Sequence, residues 1–272
     1  MTFDCESDLT VNTALQAERV DFSYYDGLVL RELSLTLAEG ELVGLLGPNG
    51  SGKTTLLNVL SGLLAPKRGQ VLLWGEDVQR MDRRQIARRL AVVPQELEMP
   101  FGFSAYEMVM LGRTPHVRPL VGVQRRDRDM VLEKMRLTNT QEIAERPFSD
   151  LSGGERQRVI LAMALAQESE ILLLDEPVVH LDISHQIEIM EMIKDLNQRH
   201  NLTVLASMHD LNLAALYFDR LVLLDRGSVV SQGKPDQVLN EETLRRVFGA
   251  AVKVQRHPTR STPNVVLLPP SG

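Results

Sequence analysis

The 272-residue sequence predicts an α/β fold: a mainly parallel sheet flanked by helices, with an N-terminal antiparallel β subdomain and a helical insertion. Three observations carry this reading. Strand-like and helix-like runs alternate over most of the chain, the pattern of parallel strands joined by helical crossovers. A glycine-rich segment, Gly47–Thr54, sits between an apolar run and a helix-like run. From about Glu96 to Asp150 strand signals fade and helical spacing takes over.

Taken in order, residues before about Leu15 read as a frayed polar terminus. Glu18–Tyr24 and Leu28–Leu37 are rich in β-formers and flank the turn signal Tyr25-Asp26-Gly27, which predicts an antiparallel hairpin. Leu42–Leu46 is a buried strand and Thr55–Leu60 a helix ending near Gly62; Gln70–Trp74 is a further strand closed by Gly75. In the insertion, Ser104-Ala105-Tyr106-Glu107 fits a capping box ahead of Met108–Leu111, and charged helical stretches follow at Arg125–Arg136 and Gln141–Arg146. Ser152–Gln167 is then a helix, Ile171–Leu174 a strand, Ile183–Arg199 a helix, Thr203–Ser207 a strand and Leu211–Tyr217 a helix. Leu221–Leu224 and Ser228–Gln232 flank Asp225-Arg226-Gly227, a second hairpin signal. Residues 15–255 are expected to form the main domain, with the helical subdomain at about 96–150 inserted. Residues 256–272, with four prolines at 258, 263, 269 and 270, are expected to be an extended or disordered tail.

Gly47-Pro48-Asn49-Gly50-Ser51-Gly52-Lys53-Thr54 matches the pattern G-x-x-x-x-G-K-[ST] in the strand–loop–helix setting that it requires. Glycines let successive backbone N–H groups turn inward around a polyphosphate, and the following helix presents its positive end to the same anion. Lys53 is placed to reach the β- and γ-phosphates and Thr54 to hold Mg²⁺, with Thr55 among the nucleotide-binding residues. Ile171-Leu172-Leu173-Leu174-Asp175-Glu176 is a buried strand that delivers two carboxylates at its C-terminal edge, where ligands bind in such sheets. Asp175 is the candidate Mg²⁺ ligand and Glu176 the group that polarises the attacking water.

Leu151-Ser152-Gly153-Gly154-Glu155-Arg156-Gln157-Arg158 is the second decisive segment. Ser152-x-x-Glu155 is a capping box, but capping does not call for two glycines, each of which costs about 1 kcal/mol in a helix interior. The pair therefore points to a phosphate approaching the backbone closely. This L-S-G-G-E-R-Q-R segment resembles the signature of ABC-transporter ATPases, and the resemblance runs from about residue 16 to 255 in the family's order. It implies that Tyr24 stacks on adenine and that Gln95 contacts Mg²⁺ and water. It also implies that Leu181-Asp182 faces the opposite subunit and that His209 is the switch histidine on the γ-phosphate. The family's architecture implies a head-to-tail homodimer with ATP sandwiched between the loop Gly47–Thr54 of one chain and Ser152, Gly153 and Gly154 of the other. One departure stands out: Val178 and Val179 follow Asp175-Glu176-Pro177, where the family commonly has threonine.

Weaker segments narrow the subfamily. Gly112-Arg113-Thr114-Pro115-His116, Leu181-Asp182-Ile183-Ser184-His185-Gln186 and His209-Asp210-Leu211-Asn212-Leu213-Ala214 resemble importers of iron chelates and cobalamin. The resemblance implies separate permease subunits in the membrane, a substrate-binding protein that acts indirectly, and a place for this chain on the cytoplasmic face of the membrane. Apolar contact with the permease is expected near Gln95 to His116, through Met99, Phe101, Phe103, Tyr106 and Met110.

Composition sets the remaining bounds. A net charge of −6 argues against general nucleic-acid binding. A second P-loop, a second signature and a strongly basic surface would be expected of a ribosome- or DNA-acting ABC protein, and the sequence carries none of them. Cys5 is the only cysteine, so no internal disulfide can form. The longest apolar run, Val159–Ala166, is far shorter than the roughly 18 residues of a membrane span. The N-terminal residues lack the layout of a signal peptide, so the chain is expected to be soluble and to meet the membrane through its partner.

Overall fold

The computed structural model describes residues 12–95, 97, 102–118 and 120–269. Among these the strands are β1 (Thr13–Phe22), β2 (Leu30–Ala38), β3 (Leu42–Leu46), β4 (Arg68–Leu73), β5 (Glu76–Asp77), β6 (Leu90–Val93), β7 (Ile171–Asp175), β8 (Thr203–Ser207), β9 (Arg220–Asp225), β10 (Ser228–Gly233), β11 (Val252–Arg256) and β12 (Pro263–Leu267). The helices are α1 (Lys53–Leu60), α2 (Arg83–Arg89), α3 (Ala105–Leu111), α4 (Arg125–Leu137), α5 (Gly153–Ala166), α6 (Ile183–His200), α7 (Leu211–Tyr217), α8 (Pro235–Val238) and α9 (Glu241–Phe248).

The central sheet has the order β10-β9-β3-β8-β7-β6, parallel from β9 to β6 with β10 as an antiparallel edge. Apart from residues at their ends, its inner strands are apolar because both faces are covered. Successive side chains point to opposite faces. Accordingly Leu42, Leu46, Leu172, Leu174, Val204 and Ala206 enter one core, while Val43, Leu45, Ile171, Leu173 and Leu205 enter the other. A second, antiparallel sheet in the order β2-β1-β4-β5 closes over the latter core. The fold class read from the sequence is the one observed.

Some elements differ from the sequence reading. Gln141–Arg146 does not form a helix; only a 3₁₀ turn, Gln141–Ile143, is present. Pro147 disfavours helical backbone at Arg146, and the segment is too short to hold a helix by itself. The C-terminal segment is not a free tail. Val252–Arg256 pairs antiparallel with Pro263–Leu267, so a boundary at 255 cuts through a hairpin. Val252 and Val265 are buried against the main core, a gain available to the tail although prolines dominate its composition. Helices α2, α8 and α9 and strand β5 were not anticipated, although Asp82 and Gln85 form a capping box that marks the start of α2. Cys5 lies outside the described residues.

The insertion is fastened to α5 by a buried ionic network. Arg113 is 2% exposed; its Nε donates to Asp127 at 3.1 Å and its Nη1 to Glu168 and to the Ala166 carbonyl, both at 2.6 Å. His116 Nε2 is 2.8 Å from the Gln167 carbonyl. Helix α5 has no basic residue in its own last turn, so Arg113 supplies the cation that its C-terminal carbonyls favour. Gly112 permits this approach: a Cβ there would lie 2.0 Å from the Met163 carbonyl oxygen. The Gly112–His116 segment thus has a structural role.

Replacing Arg113 with Met should leave Asp127 and Glu168 uncompensated and cost about 3 kcal/mol, read by urea unfolding. Lys at this position should recover only part, because one ammonium cannot reproduce the planar fork. Wild-type stability in the Met variant would show that the network contributes little.

Candidate active site

The parallel strands end on one edge of the sheet, and the residues that follow them meet there. β3 runs into Gly47–Gly52, β6 into Pro94-Gln95, β7 into Glu176 and β8 into Met208-His209. Because β8 lies between β3 and β7, and β6 flanks β7, these four ends are neighbours. Asn49, Lys53, Thr54, Gln95, Glu176 and His209 line one cavity of about 510 Å³. Clefts of similar volume exist elsewhere, including one of about 520 Å³ beside Trp74 and Leu137, so chemistry and not size singles this one out.

The loop is built to hold anions. Gly47, Gly50 and Gly52 have φ of 154°, 77° and 103°. A Cβ on Gly47 would lie 2.4 Å from the Leu224 carbonyl oxygen and 2.6 Å from Ser51 Oγ, so no other residue fits. Ser51 is buried, and its hydroxyl has no partner among the described residues. Lys53 begins α1 and folds back so that its Nζ donates to the Gly47 carbonyl at 2.9 Å and to that of Pro48 at 3.5 Å. Burial lowers its pKa, opposed by the negative charges of Glu176 and Asp175. Tyr24 does not line the cavity; it is half exposed, with its hydroxyl 3.3 Å from Oγ1 of the lining residue Thr55 and its ring edge-on to Phe22.

The carboxylates are fixed from several sides. Asp175 and Ser207 are register partners across β7 and β8. Ser207 Oγ donates to Asp175 Oδ1 at 2.7 Å and accepts from the Glu176 backbone N–H at 2.9 Å. Glu176 has φ 52°, the left-handed region that a side chain such as glutamate rarely adopts. One of its carboxylate oxygens accepts from Gln95 Nε2 at 2.8 Å, and the other is hydrogen-bonded to His209 Nε2. Sequence reasoning missed Ser207; the available signal was a hydroxyl at the end of an otherwise apolar buried strand. It also missed Val179 and His180, which line the same cavity.

Thr54, Gln95 and Asp175 offer only oxygen donors toward an ion, the set that a hard cation such as Mg²⁺ prefers. Gln95 uses its amide nitrogen on Glu176, and its carbonyl oxygen makes no hydrogen bond among the described residues. No group of three or more His, Cys, Asp or Glu side chains close enough to hold a metal occurs among the described residues. By its chemistry the donor set fits a hard cation.

Ser152, Gly153, Gly154 and Asp182 do not line this cavity. Ser152 caps α5 in a capping box with Glu155: the Ser152 N–H donates to Glu155 at 2.8 Å, and Ser152 Oγ accepts from the Glu155 N–H at 3.4 Å. Asp182 caps α6, accepting from the His185 N–H at 3.0 Å, from Ser184 Oγ at 2.8 Å and standing 2.8 Å from His185 Nδ1. Those bonds, the His185 N–H foremost, lower its pKa to about 2, so the charged cap persists through the ordinary carboxylate range and is lost only as pH falls through about 2. Beyond Val178, which is buried, Gln186 Nε2 donates to the Leu181 carbonyl at 3.0 Å and so fixes the turn before Asp182.

The two glycines of the signature differ. A Cβ on Gly154 would lie 2.5 Å from the His185 ring, whereas one on Gly153 would make ordinary contact with Leu181 at 3.4 Å. Packing inside the chain thus gives Gly154 a further reason, one the sequence reading did not consider. Phe103, Tyr106 and Met110 are partly buried and pack on the core, so they are largely interior residues. Met99 and Phe101 lie outside the described residues. Among the described residues of the insertion, the exposed large apolar side chains are Leu111, Leu120, Val121, Val123 and Leu137. Among the described residues, no helix is long and apolar enough to cross a membrane.

Residues 30–179 match the family model described as ABC transporter. The chain belongs to the ABC transporter family. Relatives extend the match beyond that span. The petrobactin import ATP-binding protein FpuD of Bacillus anthracis is 39% identical over 92% of both chains. The cobalamin import ATP-binding protein BtuD of Halobacterium salinarum is 42% identical over 89% of this chain and 60% of its own length. Among solved structures, an ABC transporter assigned to the metal-chelate type, in an inward-facing conformation, superposes with a TM-score of 0.84 at 28% identity, over 94% of this chain and 98% of the other. The ABC signature therefore lies in a fold shared along nearly its whole length.

Gly154→Ala should lower stability by about 1–3 kcal/mol through overpacking against His185. His185→Ala in the same chain should remove most of that loss. Thermal unfolding of the single and double variants tests this; an undiminished penalty in the double variant would refute the packing account.

Proposed function

We propose that this chain is the ATP-binding and ATP-hydrolysing subunit of an importer for an iron chelate or cobalamin, acting on separate permease subunits. One observation carries the catalytic part. The loop after β3, Gln95, Glu176 and His209 converge on one cavity, while the signature residues face elsewhere on the same chain. A complete site then requires a second copy, which contributes Ser152, Gly153 and Gly154, with Asp182 at the join. The functional unit is a homodimer with nucleotide at its interface.

In this reading Lys53 and the backbone N–H groups of Gly47–Thr54 hold the β- and γ-phosphates, and Tyr24 supports the adenine. Thr54, Asp175 and Gln95 would hold Mg²⁺, which supplies positive charge against the phosphate oxygens. Glu176 orients and polarises the attacking water, steadied by Gln95 and His209. His209 then lies on the γ-phosphate side. Positioning and charge stabilisation supply most of the rate, and closure of the dimer couples it to transport.

The cargo assignment rests on the petrobactin, cobalamin and metal-chelate functions named for the relatives and the solved neighbour. The cargo itself would be selected by the permease and an external binding protein. The exposed Leu111, Leu120, Val121 and Val123 offer the permease an apolar contact at the cytoplasmic membrane face. Nucleic acid is not expected as a partner, given the net charge of −6.

Glu176→Gln should retain ATP binding and slow turnover by about a hundredfold or more, with ATP-bound dimers accumulating on size-exclusion chromatography. Normal turnover in that variant would remove Glu176 from the catalytic role. Deleting the gene should impair growth on a siderophore, on haem or on cobalamin, and leave sugar and amino-acid uptake unchanged. Loss of drug resistance with chelate uptake intact would instead make the chain an exporter subunit.

A further inference from the structure

Asn212 is part of the His209–Ala214 segment, and the proposed catalytic cycle gives it no task. Its side chain behaves as a strand neighbour. Nδ2 donates to the Val265 carbonyl at 3.1 Å, and Oδ1 accepts from the Val265 N–H at 2.6 Å. One amide thereby satisfies both the N–H and the carbonyl of Val265, which β12 turns away from β11.

The hairpin that holds Asn212 is itself well anchored. Val252 and Val265 are buried in the main core, and Glu241 accepts from the Val254 N–H at 3.0 Å. Helix α7, by contrast, has seven residues and cannot fix its own direction. Its inner face is held by Leu213, Ala214, Ala215 and Tyr217, and the amide of Asn212 ties it to β12. Its first turn is capped by Asp210, whose Oδ1 accepts from the N–H groups of Asn212 at 2.8 Å and of Leu213 at 2.9 Å. His209 immediately precedes that cap and reaches back to Glu176. A displacement of the first turn of α7 therefore carries His209 with it.

We infer that Asn212 and the β11–β12 hairpin form a positioning device for His209, which sets the histidine against the γ-phosphate side of the site. Asn212 touches neither nucleotide nor Glu176 and acts through the backbone of Asp210 and His209. The inference rests on the proposed role of His209. It gives the C-terminal hairpin a part in distinguishing ATP from ADP.

The test compares a non-hydrolysable ATP analogue with ADP, by calorimetric titration of the full chain with Mg²⁺. The ratio of the two affinities is insensitive to a partly unfolded fraction. Asn212→Ala should weaken the analogue by about three- to tenfold and leave ADP unchanged. Asn212→Asp keeps an acceptor for the Val265 N–H but sets a carboxylate oxygen against the Val265 carbonyl, and should weaken the analogue at least as much as Asn212→Ala. Adding Asn212→Ala to His209→Ala should cause no further loss, because the residue through which it acts is gone. Equal weakening of analogue and ADP, or an additive loss in the double variant, would overturn the positioning role. If His209→Ala alone leaves the analogue-to-ADP ratio unchanged, the reading of His209 fails, and the inference with it. A normal ratio in Asn212→Ala beside an altered one in His209→Ala overturns the inference alone.

Discussion

A parallel sheet covered on both faces cannot carry polar side chains along its strands without burying them unpaired. In this chain that constraint drives chemistry to the strand ends. β3, β7 and β8 are buried along their lengths, and their first reactive groups come where the backbone leaves the sheet. Asp175 and Ser207 are the exceptions that show how the limit is managed. Each sits at the last position of its strand, and they satisfy one another, with the second capacity of the hydroxyl spent on the Glu176 N–H. One pair of register partners thus holds the Asp175 carboxylate and the Glu176 backbone, while Gln95 and His209 hold the Glu176 carboxylate.

Much of this was legible in advance because the signals were local. The loop Gly47–Thr54 is contiguous, and its glycines are required by their own backbone angles. The Ser152–Glu155 and Ser104–Glu107 boxes join residues three apart, and the bonds they predict are present. What stayed hidden depends on residues far apart in sequence. Ser207 acquires its role from Asp175, 32 positions away, and Arg113 pairs with Glu168 across 55. The pairing of β11 with β12 was obscured by prolines, which report on backbone freedom and not on burial. Gly154 had a motif explanation ready, which concealed its contact with His185.

The insertion is less independent than its helical texture implied. Arg113 joins α4, through Asp127, to the C-terminal end of α5, while Arg146 pairs with Glu155 at 2.9 Å near the N-terminal end. Both ends of the signature helix are thus tied to insertion residues.

Glu176 occupies a backbone region that disfavours any side chain with a Cβ by about 1 kcal/mol or more. Glycine would adopt it at almost no cost, and asparagine more easily than glutamate. The fold therefore carries a standing conflict between endurance and use. Variants sorted only for relief of that backbone strain would drift away from glutamate and give up its bonds to Gln95 and His209, contacts that no glycine can make. In the proposed reading they would lose the water-polarising carboxylate with them.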